Sequence, residues 1–228
     1  MRPLLLALLL LAAPAAAQES LRTLTVTGEG RATAVPDLAR LSLGVAVQAA
    51  TAGEAMSAMG EGVSAILQRL QGAGIEARDV QTGQLSLQAV YDYNSYSGTG
   101  VPPLLGFLAT QMLDVRVRDV AGVGPVLDAT VADGANQING VTFDLADPAA
   151  ALDEARRAAV ADAAARAETY AAAAGVALGD VVSVAETTFG PVMPLYDGRM
   201  AADAAAPVPV APGELAVTAT VSVTYAIE

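Results

Sequence analysis

From Leu215 to Ile227 the odd positions are Leu, Val, Ala, Val, Val, Tyr and Ile, while the even positions are Ala, Thr, Thr, Ser, Thr and Ala. Successive side chains of a strand point to opposite faces, so this segment is predicted to be a strand with one buried face. Such a strand cannot bury that face alone; it needs neighbouring strands and a second layer laid over them. The same alternation runs through Leu38 to Gln48, with Leu41, Leu43, Val45 and Val47 on one face, and through Phe107 to Val117. Strands of this kind are expected in antiparallel sheets covered on one side.

Two long helices can supply the cover. Thr51-Ala52-Gly53-Glu54 fits a capping box, in which the Thr51 and Glu54 side chains each accept a free backbone N–H at the other's position. Met56, Met59, Val63, Ile66, Leu67 and Leu70 follow at helical spacing, and Gly72 and Gly74 mark the end. A second helix is expected to begin at Asp147-Pro148, with the acid placed to cap and the proline in the first turn, where its missing N–H does no harm. It runs to about Ala174, with Asp153–Arg157 and Asp162–Arg166 spaced for surface ion pairs. A shorter helix is expected over Val120 to Ala132, stopped by Gly134.

The long helices end alike. AGIEARDV, Ala73 to Val80, and AGVALGDV, Ala174 to Val181, share Ala, Gly, Asp and Val, with Ile75 matched by Val176. Each has a strand before the helix, a strand after this turn, a Pro- and Gly-containing loop, and a further strand. The chain therefore reads as an α+β fold of two β-α-β-β units, residues 38–118 and 137–228, whose antiparallel strands pack against the two long helices. A chance likeness of two short turns is the alternative. The loops differ: 91–103 is YDYNSYSGTGVPP, aromatic and glycine-containing, whereas 190–213 is rich in alanine and proline. Loops this long are usually functional or disordered.

Arg2, the apolar run Leu4 to Ala13 and the small residues Ala15-Ala16-Ala17 form the pattern of a signal peptide, residues 1–17, cleaved after Ala17 to leave a domain of residues 18–228. The apolar run is about half the roughly 20 residues that a membrane span requires. No later stretch is long and apolar enough to be a transmembrane segment of the mature protein.

The residue types missing from the chain exclude much chemistry. There is no histidine and no cysteine, and all 12 basic residues are arginine. Thiol and histidine nucleophile arrangements, Schiff-base lysines and the usual zinc or copper ligands are thereby removed, so no metal or other cofactor is expected. With 24 acids and a net charge of −12, the surface repels nucleic acid and anionic lipid, and neither is expected as a partner. A carboxylate-dependent hydrolase needs two placed acids, but the acids are scattered over predicted helix surfaces and turns. Asp92, Asn94 and Ser95 are hard oxygen donors suited to calcium, yet ordinary turn propensity accounts for them. Gly28-Glu29-Gly30 lacks the third glycine and following helix of a phosphate loop, and reads instead as a glycine bulge ending a strand over Thr23 to Thr27.

Taken in order, Val26-Thr27-Gly28-Glu29-Gly30, Pro36-Asp37, Tyr91-Asp92-Tyr93, Gly134-Ala135-Asn136-Gln137-Ile138-Asn139-Gly140 and the Ala- and Arg-rich helix leading into AGVALGDV resemble the SIMPL-domain family. That family groups bacterial periplasmic proteins described as oxidative-stress defence or periplasmic immunogenic proteins. The resemblance implies a periplasmic location, with outer-membrane association left open, no established reaction, and in some members a large homo-oligomer. Gly28, Gly30, Pro36 and Asp37 match its signature as strand and turn determinants.

These readings lead to a non-enzymatic, self-associating periplasmic protein that contributes to envelope integrity or oxidative-stress tolerance. The first alternative is a binding module in which Tyr91, Tyr93, Tyr96 and Phe107 contact a peptide, glycan or small ligand, since tyrosines give large contact area at low entropic cost. The second is the carboxylate-dependent hydrolase.

Overall fold

A computed structural model describes residues 22–94, 98, 100–189, 193–195 and 210–228; the expected signal sequence, residues 1–17, lies outside the described residues. In chain order the elements are β1 (Thr23–Ala34), β2 (Leu38–Ala49), α1 (Ala52–Gly72), β3 (Val80–Tyr91), β4 (Leu104–Val117), α2 (Val123–Ala132), β5 (Gln137–Asp144), α3 (Ala149–Ala174), β6 (Leu178–Phe189), β7 (Met193–Leu195) and β8 (Glu214–Ile227). They form two antiparallel sheets, one ordered β3-β4-β2-β5 and the other β1-β8-β6, with short β7 also on β8. The fold is α+β.

The first sheet is covered by α1, which packs on β2 and β4. The capping box forms as its residues imply: Glu54 N–H donates to the Thr51 hydroxyl at 3.2 Å, and Thr51 N–H to the Glu54 carboxylate at 3.1 Å. Leu41, Leu43 and Val45 of β2 meet Met59, Val63, Ile66 and Leu70 of α1 and Leu113 and Val115 of β4 in a core of large aliphatic side chains. α2, entered through a 3-10 turn at Val120–Gly122, adds Val123, Val126 and Leu127 to it. Asn136 completes the edge of β2: its side-chain amide donates to the Ala46 carbonyl and accepts from the Ala46 N–H, both at 2.8 Å, as a paired strand residue would.

The second sheet is covered by α3 on different terms. Ala155, Ala159, Ala163, Ala167 and Ala171 repeat every fourth residue and are all buried, the first four against β1 and β8. Gly28 and Gly30 lie in the middle of β1, whose pairing with β8 runs without a break from Thr23 to Ala34. The expected glycine bulge is absent, and the strand does not end at Thr27. A Cβ on Gly28 would overlap the Ala159 carbonyl, and one on Gly30 the Ala155 carbonyl, so the glycines let the helix backbone lie on the strand backbone. Asp162 fixes the height of the helix by accepting the Glu29 N–H at 2.9 Å. Asp162 pairs with Arg166 at 2.9 Å as expected, whereas Asp153 pairs with Arg156, not Arg157. Arg156 takes that place because from its position it also reaches Glu186 on β6, at 3.0 Å. At the start of α3, Asp147 accepts the Ala149 N–H at 2.9 Å. At its end, Gly175 adopts φ 71°, the left-handed conformation that favours glycine.

The sheets exchange strands. β5, the strand expected to open the second unit, pairs with β2 in the α1 sheet, and the place beside β8 is taken by β1. The unit of residues 137–228 therefore does not form a self-contained sheet. The junction explains the exchange. Pro36 is buried between β1 and β2; Asp37 donates its N–H to the Asp144 carbonyl at 3.3 Å and accepts the Ala146 N–H on its carboxylate at 2.6 Å. The passage from β1 to β2 is thus fastened to the passage from β5 to α3, and both cross between the sheets together.

Candidate functional site

α1 covers the two inner strands of its sheet and leaves the outer strand β3 bare. The segment 80–91, VQTGQLSLQAVY, contains no charged residue, and one of its edges has no partner strand among the described residues. Leu85 and Leu87 share a face with buried Ala109, yet are 54% and 44% exposed, because the helix does not reach them. At the start of the same strand a groove of about 680 Å³ is lined by Leu67, Ile75, Val80 and Leu113 together with Gln71, Glu76 and Thr82. β6 occupies the matching outer position in the second sheet and likewise exposes Val181, Val182 and Val184. Natural proteins usually blunt such edges with lysine, proline or a covering segment. Neither lysine nor proline stands in β3 or β6.

At the end of β3, the Tyr91 and Tyr93 rings meet edge to face, with centroids 6.4 Å apart, and Tyr93 is 71% exposed. Leu104 and Leu105 at the start of β4 are also exposed, giving the hairpin tip an apolar, aromatic surface. Tyr96 lies outside the described residues. Phe107 does not join the tip: it pairs with Ala89 and Ala49 in the body of the sheet and packs against the α1 core. The alternation of β4 places it on the helix-covered face, the face of Ala109 and Leu113. Asp92 accepts the Asn94 N–H at 3.0 Å, the turn geometry anticipated for this pair, while Ser95 lies outside the described residues.

Several carboxylates are engaged by arginines. Buried Asp79 accepts two hydrogen bonds from Arg118, at 2.8 and 2.9 Å, and they hold its pKa below the usual carboxylate range despite burial pushing the other way. Asp133 is lowered by its hydrogen bond from Arg69, and Asp162 chiefly by the Glu29 N–H. A general acid needs a raised pKa, and these three are shifted in the opposite direction. Gly28, Gly30, Pro36 and Asp37 act as set out above: they seat α3 and fasten the crossover. Among the described residues no helix is long and apolar enough to cross a membrane.

The β3 edge carries no titratable residue except Tyr91 at its end, and its sequence signal is an absence, a strand-length run without a charge between Asp79 and Asp92.

The sequence profile of the SIMPL family, described as a protein of unknown function (DUF541), matches residues 24–225. The 26 kDa periplasmic immunogenic protein of Brucella melitensis is 42% identical over 226 residues, spanning 94% of this chain and 90% of its own length. The protein of the same name from Brucella abortus matches to the same extent. The uncharacterized protein YggE of Escherichia coli K12 is 31% identical over 161 residues, 71% of this chain and 64% of its own.

Proposed function

The chain belongs to the SIMPL family, and from that premise we propose that it is a non-enzymatic periplasmic protein that self-associates through its outer strands and supports the cell envelope under stress. The single observation that carries this reading is β3: a 12-residue edge without charge, with Leu85 and Leu87 exposed on it. Such an edge offers a row of free backbone donors and acceptors to another strand, and apolar side chains to be buried with them. Pairing of outer strands between copies satisfies both. The names of the Brucella relatives support the compartment, and residues 1–17 provide the export signal.

The test is light scattering on the mature protein. Wild type is expected above monomer mass, and Leu85→Lys with Leu87→Lys, which put two charges on the edge, is expected to return it to monomer with an unchanged circular dichroism spectrum. A wild-type monomer across physiological concentrations removes the assembly reading. A deletion strain under oxidant and envelope stress, complemented by the same double variant, connects assembly to tolerance.

The Tyr91–Tyr93 pair favours a second reading, in which the hairpin tip is a contact site for a peptide, glycan or small ligand. Tyr91→Ser, Tyr93→Ser and Tyr96→Ser together are expected to abolish partner capture in pull-downs while leaving oligomer mass intact. Unchanged partners and mass dispose of that reading.

A further inference from the structure

The face of the first sheet turned away from α1 holds a cavity of about 550 Å³. Its floor is two cross-strand rows: Thr142, Arg40 and Arg116 in one, and Gly140, Ser42, Asp114 and Gln81 in the next. Arg40 and Arg116 stand directly opposite each other, and like charges so placed weaken a strand pair. Both flanking strands are irregular at this level. Asn139 is the extra residue where β5 shifts register against Ser42 and Leu43, and β3 shifts between Thr82 and Leu85. Bulges re-aim side chains and are over-represented beside binding sites.

The charges around the cavity cancel in pairs, with one of each sign left over. Arg40 is held by Asp144 at 2.7 Å, Arg78 by Glu76 at 3.0 Å, and Arg118 holds Asp79 at 2.8 Å. Arg116, whose charge also acts on Asp79, and Asp114 enter no ion pair within 4 Å and no side-chain hydrogen bond among the described residues. They are two residues apart on the same face of β4, both exposed and both lining the cavity. Around them Ser42, Gln81, Asn139 and Thr142 offer neutral donors and acceptors.

We propose that this cavity binds a free α-amino acid, its carboxylate on the Arg116 guanidinium and its ammonium on the Asp114 carboxylate. A planar guanidinium fork matches a carboxylate, and a carboxylate accepts well from an ammonium. A ligand carrying negative charge alone would be repelled by Asp114, and an uncharged ligand would gain from neither charge. This site lies on the face of the sheet opposite Leu85 and Leu87 and does not use the hairpin tip.

The experiment is isothermal titration of the mature full-length protein with each standard amino acid in turn, with succinate and ethylamine as single-sign probes. Saturable amino-acid binding is expected, with both single-sign probes at least about tenfold weaker. Arg116→Gln and Asp114→Asn are each expected to weaken amino-acid binding by about tenfold or more, and Asp114→Asn to improve succinate binding. Amide chemical-shift changes in the unmodified protein, confined to Ser42, Asp114, Arg116 and Thr142 and their neighbours, locate the ligand without relying on a variant. No saturable binding at about 10 mM amino acid overturns the proposal. So does succinate binding as tightly as the best amino acid, or binding that neither substitution alters.

Discussion

The two helix-covered sheets solve the same packing problem with opposite materials. α1 keeps its distance and fills the gap with Leu, Ile, Met and Val, whereas α3 lies against β1 backbone to backbone, alanine on glycine. In the first, stability comes from apolar area and dispersion among large side chains. In the second, little side-chain area is available, and the helix is held by its close approach, by the Asp162 link to Glu29 and by the larger residues of β8, Val221, Val223 and Tyr225. The lesson is that the two layers fail in opposite directions: one is sensitive to truncation, the other to enlargement.

Ile66→Ala tests the first half of that contrast most severely. Ile66 is fully buried at the centre of the α1 core, and its truncation is expected to cost about 4 kcal/mol in urea unfolding. Ala163→Gly, on the equally buried face of α3, should cost only about 1 kcal/mol, the loss of helix propensity. Equal costs would break the comparison.

Gly30→Val reverses the roles. With the Ala155 carbonyl in the way the helix must shift, and a loss of about 3 kcal/mol is expected in the same assay. Gly62→Ala in α1 meets the Val45 methyl groups at 3.1 and 3.4 Å, a milder contact than a backbone carbonyl, and should change stability by no more than about 1 kcal/mol, since helix propensity offsets part of it.

Acid sharpens the contrast further. Asp79 has its pKa lowered in the folded state, so its pairing with Arg118 contributes fully above the unfolded carboxylate pKa and is lost as pH falls through the lower folded value. Asp79→Asn is expected to cost about 2 kcal/mol at neutral pH and to flatten the fall of the urea midpoint below about pH 4. Asp162→Asn, at a less buried site on the α3 side, should leave most of that acid limb in place. Helix ends extend the comparison: Thr51→Ala at the start of α1 and Gly175→Ala at the end of α3 should each cost about 1 kcal/mol by thermal unfolding.

Local pattern carried much of this fold. The alternation at Leu38–Gln48, Phe107–Val117 and Leu215–Ile227, the Thr51–Glu54 capping box and the glycine stops all concern residues near one another in sequence, and each became the element it implied. What depended on distant partners could not be read that way. Gly28 and Gly30 suit a bulge or a close approach equally well, and the deciding residues, Ala155 and Ala159, sit far along the chain. The Gln137–Asp144 strand carries no mark of which sheet it will join. The Arg40–Arg116 juxtaposition exists only once β2 and β4 are in register. Of the contact residues, Tyr91 and Tyr93 were legible as an aromatic pair on a hairpin, while Phe107 was separated from them by strand parity, which the alternation of its own segment encodes.

The strand exchange at Asp37 and Asp144 also decides how this polypeptide can be divided. No single cleavage leaves two complete sheets: a cut between α2 and β5 sends β1 away from its partner β8 and β5 away from its partner β2. Each fragment would then carry the strand that the other lacks. The molecule is thus arranged like a split reporter, whose halves have reason to find each other and little reason to fold apart.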